Sequence, residues 1–355
     1  MEWFEPQVRA TVERRFGCPA GDVGIRMLAA HASSRTYWRI TLRSGDRPPS
    51  IALMVLNPED RGIKSDEIVE IETGLNELPF VNVQKFLCSF TDAVPEIYHD
   101  DADHGLVYIE DLGDTLFESV VAPLDDEGRR VWYGRALDLL LRLQIEGTQR
   151  LDDSCVASRA AFTETLLLWE FEHFIEYGLG TKLGVGIDAR ELAVLREAFG
   201  GMARRLAAAP RVFTHRDFQS KNLLVQEARL RLVDFQDALR GPRIYDLVAL
   251  LRDSYVELSP ELLDRLLEDY LDRARTAGEN LDPETFRTDF AQMTLQRKLK
   301  DYGRFVYIHR VKQNPGFLRY NPTNARYILD AAARIPELDE AARILGRRLG
   351  PEAHR

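Results

Sequence analysis

V-F-T-H-R-D-F-Q-S-K-N-L-L-V (Val212–Val225), L-R-L-V-D-F-Q-D (Leu230–Asp237) and G-P-R-I-Y-D (Gly241–Asp246) follow one another along a single stretch of the chain, and its reading decides the fold. Two short apolar runs, Leu223–Val225 and Leu230–Val233, bracket a polar turn and read as a β-hairpin. His215, Asp217 and Asn222 stand just before it, and Asp234 just after it. A tight hairpin brings its two ends together, so Asp217, Asn222 and Asp234 are expected to converge on one pocket. A plain hairpin with surface acids would explain a lone H-x-D. It does not explain four such positions held at this spacing.

H-R-D, four intervening residues, N, and then D-F-x resembles the catalytic and metal-binding loops of protein kinases. Phosphoryl transfer needs a group that positions and deprotonates the acceptor hydroxyl, and hard oxygen ligands for Mg²⁺ on the ATP phosphates. By this resemblance Asp217 is the catalytic residue, and Asn222 and Asp234 are the Mg²⁺ ligands. His215 holds loop backbone, and Asp246 braces the loop through its amides. Gln236 stands where D-F-G would have its glycine, which points away from eukaryotic protein kinases. H-R-D-F-Q-S-K-N, V-D-F-Q-D-A and Y-D-L-V-A-L-L-R-D-S-Y together resemble the aminoglycoside phosphotransferase superfamily, small-molecule kinases with a protein-kinase-like fold. Within it they are most similar to the anomeric kinases of N-acetylmuramate and N-acetylglucosamine, enzymes of cell-wall sugar recycling. The resemblance spans nearly the whole chain and is strongest over 212–255. It implies a bilobal α+β fold: a β-rich N-lobe (1–109), a hinge (110–114), and a helical C-lobe (115–355) carrying the catalytic hairpin and the acceptor site.

The N-terminal third fits that frame. Apolar residues at spacings of four predict a helix over 3–16, closed by Gly17–Gly21. Ile25–Leu28, Tyr37–Leu42 and Ile51–Leu56 read as strands. The loop His31–Thr36, placed to cover nucleotide phosphates, contains no glycine, and Ser33, Ser34 and Arg35 are its candidate phosphate contacts. The third strand, I-A-L-M-V-L, has Met54 where most kinase-like enzymes carry a lysine. Arg35 or Lys64 is expected to replace that cation; otherwise the chain is a nucleotide-binding pseudokinase. A helix is predicted over 65–78 (Ser65 as N-cap; Ile68, Ile71 and Leu75 inward), where Glu67, Glu70 and Glu72 read mainly as a solvated acidic face. Val94–Tyr98 enters a strand, His99–Gly105 is an acidic turn, and Leu106–Glu110 is a buried strand. By resemblance L-V-Y-I-E-D-L-G-D is the hinge, with the Glu110 carbonyl and the Leu112 N–H on the adenine edge and Gly113 turning the chain.

Composition limits the alternatives. Hydrophobic residues make up 45% and charged residues 29% of 355 positions, an ordinary globular balance. A net charge of −10 argues against a broad nucleic-acid surface. Cys18, Cys88 and Cys155 lie far apart, which suggests a reducing compartment and neither a disulfide framework nor a zinc site. No apolar run approaches about 18 residues, and M-E-W-F-E-P lacks a signal core. The expectation is a cytoplasmic protein without a membrane span.

Helices are predicted over 126–146 (Val131, Leu139 and Leu143 inward), 160–177 (Trp169, Phe171, Phe174 and Tyr177 as core), 188–208, 247–277, 284–312, 324–334 and 336–348. Inside the catalytic loop, Lys221 is a candidate for the γ-phosphate and Gln219 for the substrate. Gln236 and Arg304 are further substrate candidates. Arg297, Lys300, Arg304 and Arg310 place positive charge on one helix. They form either a solvated face or a receptor for an anionic acceptor such as the lactyl carboxylate of muramate. The reading is therefore an ATP- and Mg²⁺-dependent phosphotransferase acting on a small-molecule hydroxyl, most readily the anomeric hydroxyl of an amino sugar. A kinase for an aminoglycoside, choline or homoserine is the second reading.

Overall fold

The computed structural model describes residues 3–28, 35–44, 48–56 and 77–354. Ser33, Ser34 and Lys64, and residues 65–76 of the expected helix with their glutamates, lie outside the described residues. The chain forms two compact units, Met1–Thr115 with Leu224–Gln236, and Leu116–Leu223 with Asp237–Arg355.

The first unit opens with α1 (Glu5–Phe16), ended by Gly17 in the left-handed conformation at φ 63°. Strands β1 (Val23–Met27), β2 (Thr36–Leu42) and β3 (Ser50–Val55) follow, then helix α2 (Pro79–Cys88), β4 (Ile97–Asp101) and β5 (Leu106–Glu110). Among the described residues the strands form one antiparallel sheet in the order β1-β2-β3-β5-β4. The central strand β3 is buried from Ile51 to Val55, as its unbroken apolar run requires. One face of the sheet (Ile40, Leu42, Ile51, Leu53, Val55, Leu106, Tyr108) packs on Phe4, just before α1, and on Val8, Val12 and Phe16 of α1. The stretch read as an acidic turn is extended through Asp101, and only Ala102–His104 turns, ahead of Gly105 at φ 75°. Helix α2 had no counterpart in the sequence reading. Pro79 starts it, and Phe80, Val83 and Leu87 bury one face.

The second unit begins with α3 (Phe117–Val121) and α4 (Asp126–Arg142). A single wide π-turn, Leu143–Gly147, joins α4 to α5 (Thr148–Arg150), so the expected 126–146 helix is interrupted. Its buried face is Tyr133, Ala136, Leu137, Leu140 and Leu141, while Val131 is 55% exposed. Apolar residues on several sides left periodicity unable to choose the face. Residues 160–163 are extended, with the Phe162 amide bonded to the Arg240 carbonyl. Thr163 then caps α6 (Glu164–His173), which passes into a π-turn at Phe174–Gly178. Trp169, expected in the core, is 40% exposed and stacks on His173.

Helix α7 (Ala189–Ala208) is capped by Asp188 and leads to β6 (Arg211–Thr214). The hairpin β7 (Leu223–Gln226) and β8 (Arg229–Leu232) turns on Glu227 and Ala228, both at positive φ, the geometry of a two-residue hairpin turn. From Leu224 onward this hairpin belongs to the first unit: the Val225 amide donates to the Thr115 carbonyl, and the Leu232 amide to that of Ala93. Strand β9 (Leu239–Pro242) pairs antiparallel with β6. The expected 247–277 helix is two helices, α8 (Ile244–Leu251) and α9 (Pro260–Thr276). The break comes where Asp253 bonds the Tyr255 amide and Ser259 caps α9 ahead of Pro260. Helices α10 (Pro283–Arg310), α11 (Asn321–Ala332) and α12 (Asp339–Ala353) complete the unit, with a 3₁₀ segment, Pro315–Tyr320, between α10 and α11. Among the described residues no helix is long and apolar enough to cross a membrane.

Candidate active site

Strand β6 ends at Thr214 and delivers the chain into the 215–222 loop. The loop is held from both ends of α8. Asp246, in its first turn, accepts the His215 amide at 2.6 Å, and Asp253, just past its end, accepts the Ser220 amide at 2.9 Å. These two acids are seven residues apart, one inside α8 and one just beyond it. The loop also closes on itself. The Gln219 amide and the Asn222 side-chain amide each donate to the Asp217 carbonyl at 2.9 Å, and the Asp217 amide donates to His215 Nδ1 at 3.2 Å. His215 and Asp246 thus have the structural parts expected of them. Asn222 Nδ2 is committed to the loop. Arg216 adopts φ 76° and is buried, its guanidinium 5.8 Å from the Phe162 ring.

Positive charge surrounds Asp217. Arg297, 1% exposed in the middle of α10, donates from Nη1 to the Arg216 carbonyl at 2.7 Å and from Nη2 to Asp217 Oδ1 at 3.1 Å. Its guanidinium lies 4.9 Å from the Tyr245 ring. Burial pushes the Asp217 carboxyl up, but Lys300, Arg297 and Arg216 together with the Arg297 hydrogen bond outweigh it and hold the group well below the usual carboxylate range. Asp217 is therefore an ionised acceptor of a hydrogen bond at neutral pH and a weak base. Arg297 and Lys300 are buried and do not form the solvated face that the sequence left open. Next to Arg297 in sequence, Lys298 donates to Asp301 at 2.7 Å and to Ser254 at 3.0 Å, and Ser254 in turn to Asn324. Arg304 lies 5.2 Å from the Tyr307 ring. Lys221 Nζ lies 4.0 Å from the Tyr255 ring centroid and donates to the Tyr320 hydroxyl at 3.3 Å. The loop thus brings Asp217, Gln219, Lys221 and Asn222 into one structure; Arg304 stands seven residues beyond Arg297 on α10.

In the first unit Asp234 follows β8 with φ 64°, a left-handed conformation that aspartate tolerates better than most residues. Its carboxylate is exposed and accepts from Gln236 Nε2 at 2.8 Å. Phe235 is buried and stacks on Phe80 of α2, centroids 4.9 Å apart. Met54 lies opposite Tyr37 across the β2–β3 pair, and the Tyr37 hydroxyl donates to its sulfur at 3.4 Å. Burial pushes the Tyr37 phenol up to about 12; Arg35, in charge and hydrogen-bond contact, pulls it down, and Asp234 pushes it up. Arg35 and Asp234 thus both act on Tyr37, the residue that pairs with Met54. At the end of β5 the Glu110 carboxylate is paired with Arg231, Asp111 accepts Arg39, Ser50 and the Gly113 amide, and Gly113 turns at φ 81°. Leu112 is buried.

The sequence reading missed Asp253, Tyr37, Tyr255 and Tyr320, and had no purpose for a buried Arg297. The seven-residue interval from Asp246 to Asp253, bracketing an apolar helix, was the one local signal available.

The profile of a "phosphotransferase enzyme family" matches residues 24–281. The chain is 30% identical over 344 residues to N-acetylmuramate/N-acetylglucosamine kinase of Neisseria meningitidis serogroup B, covering 94% of this chain and 93% of that one. It is 31% identical over 319 residues to the protein of the same name from Pseudomonas aeruginosa, covering 89% and 86%. Among solved structures, choline kinase from Cryptosporidium parvum aligns over 94% of this chain and 97% of its own, with a TM-score of 0.62 at 12% identity. An ADP-bound aminoglycoside phosphotransferase aligns over 97% and 99%, with a TM-score of 0.58 at 13% identity. At such identities these two show a shared kinase-like fold.

Proposed function

The chain belongs to the phosphotransferase enzyme family, and from that premise we propose that it transfers the γ-phosphoryl group of ATP to the anomeric hydroxyl of N-acetylmuramate or N-acetylglucosamine. The observation that carries the reading is Asp217, fixed by its loop, ionised and hydrogen-bonded to a buried arginine. Phosphoryl transfer through a loose transition state asks little of a base until late, so a carboxylate held far below neutrality suits it. Asp217 orients the acceptor hydroxyl and accepts its proton as the new P–O bond forms. Asn222 and Asp234 supply an amide oxygen and a carboxylate, hard donors suited to Mg²⁺. When bound, Mg²⁺ neutralises charge on the transferring phosphoryl group. Arg35 takes the part of the missing strand lysine, supported by its place with Asp234 at Tyr37. The Glu110 carbonyl and the Leu112 N–H receive the adenine edge.

The test is ATP consumption against N-acetylmuramate, N-acetylglucosamine, choline and an aminoglycoside, with Asp217→Ala as control. Turnover on the amino sugars that disappears in the variant is expected. Turnover confined to choline or the aminoglycoside, or nucleotide binding without any turnover, overturns the reading.

A further inference from the structure

The helical unit carries a second concentration of positive charge, separate from the buried arginine behind Asp217. Lys221 leaves the catalytic loop and enters a corner made by two half-buried tyrosines, with Nζ 4.0 Å from the Tyr255 ring centroid and 5.1 Å from that of Tyr320. The rings meet edge to face, centroids 4.8 Å apart at 89°. Lys221 donates to the Tyr320 hydroxyl at 3.3 Å, and Arg319 donates to the same oxygen at 2.9 Å. Two cations share one phenol oxygen, and among the described residues neither has a carboxylate in ion-pair range. In a chain of net charge −10 that arrangement is conspicuous. The nearby Glu118 carboxyl is pushed up by burial even though Lys221 and Arg319 pull it down.

The corner is fixed relative to the chemistry. Lys221 precedes Asn222, whose side chain donates to the Asp217 carbonyl. The Asp217 carboxylate is also among the acids that raise the Tyr255 phenol, after burial, Asp253 and Asp301. Tyrosine faces suit the C–H faces of a pyranose ring, with their hydroxyls as polar handles. A phosphate group needs no such surface.

We propose that Lys221, with Arg319, is the receptor for a carboxylate on the acceptor sugar, the lactyl ether group that distinguishes N-acetylmuramate from N-acetylglucosamine, while Tyr255 and Tyr320 seat the sugar ring. The assignment rests on the amino-sugar kinase reading. It moves the acceptor's charge away from the α10 cations: Arg297 and Lys300 are buried beside Asp217, and Arg304 is over Tyr307.

Steady-state kinetics on both sugars, at varied ATP, test it. Lys221→Met should lower the ratio of kcat/KM for N-acetylmuramate over N-acetylglucosamine by about 10- to 100-fold, the scale of a lost charge-assisted hydrogen bond. The change should lie mainly in the muramate KM, with the ATP KM unmoved. Arg319→Gln should lower the same ratio less. Lys221→Arg should keep it within a few-fold and shows that the corner still folds. An equal fall on both sugars, or a raised ATP KM, would place Lys221 on phosphate and overturn the proposal while leaving the sugar-kinase reading intact. Wild-type turnover on N-acetylglucosamine alone also overturns only the proposal. Wild-type inactivity on both sugars overturns the reading beneath it.

Discussion

The 215–222 loop of the helical unit and the 233–236 turn of the first unit each present one aspartate, and they hold it by opposite means. Asp217 is fixed by groups distant in sequence: Asp246 and Asp253 hold the loop amides, and Arg297 holds the carboxylate. Asp234 is held locally, by a left-handed backbone, a hydrogen bond from its neighbour Gln236, and the buried ring of Phe235. The first arrangement gives a carboxylate that stays ionised at neutral pH. The second gives an exposed carboxylate held by its own turn. Under the proposed reading, the contrast becomes a division of labour: the Asp217 side is built in advance, and the Asp234 side is completed by what binds.

The largest test of that contrast is Asp217→Ala set beside Asp234→Asn. Asp217→Ala should lower kcat by about 10³-fold, in the range of a lost general acid–base group, with no recovery at raised Mg²⁺. Asp234→Asn should raise the Mg²⁺ concentration needed for half-maximal rate and recover much of its activity when Mg²⁺ or Mn²⁺ is increased. If metal rescues both variants alike, the division fails. Next in size is Arg297→Met, which leaves Asp217 without its buried partner. Breaking such a pair costs about 3 kcal/mol or more, so the urea midpoint should fall clearly, and the low-pH limb of the kcat profile should move upward as Asp217 loses its depression. An unchanged acid limb would show that Lys300 and Arg216 suffice.

How much of this was legible follows the same division. The bracing by His215 and Asp246 was readable, and Asp217, Asn222 and Asp234 could be singled out, because the pattern is carried by spacing within one stretch. The hairpin and β5 were readable from apolar runs bounded by turn residues. The bonds from Asp253 to Ser220 and from Arg297 to Asp217 span 33 and 80 positions, and no local pattern encodes them. The middle of α10 is buried on all sides, so Arg297 and Lys300 looked like a charged surface stripe and are in fact the back wall of the loop. Val131 and Trp169 were misplaced for a related reason. Their helices carry apolar residues on several faces, and tertiary packing selects one.

A smaller effect tests the bracing of the loop through pH. Burial pushes the Asp246 carboxyl from 3.8 up to about 7, against the pull of the His215 amide and Arg297 and helped by the Asp217 charge. A carboxyl raised on folding adds stability below its unfolded value, and that contribution is lost as pH rises through about 7. Asp217, held low, works the other way: its contribution is present above 3.8 and lost on acidification. Between pH 4 and 7, then, Asp246 should tilt stability downward, and Asp246→Asn, which can still accept the His215 amide, should flatten that tilt. Urea midpoints at pH 5 and 7.5 measure it, and parallel slopes in the two proteins would rule it out.

The smallest effect concerns the tether of Asp234. Phe235 stacks at 24° on Phe80 with both rings buried, so the turn is anchored to α2 through one aromatic contact. Phe235→Leu keeps an apolar side chain there and loses the stack and some packed volume, about 1 kcal/mol. The Asp217 loop is anchored by Asp246, Asp253 and Arg297, all within the helical unit. The variant should therefore raise the KM for MgATP by a few-fold and leave the acceptor KM where it was. A matched rise in both constants would mean that the two aspartates share a support which their separate anchors do not reveal, and the contrast between a built acceptor side and an adjustable metal side would have to be given up.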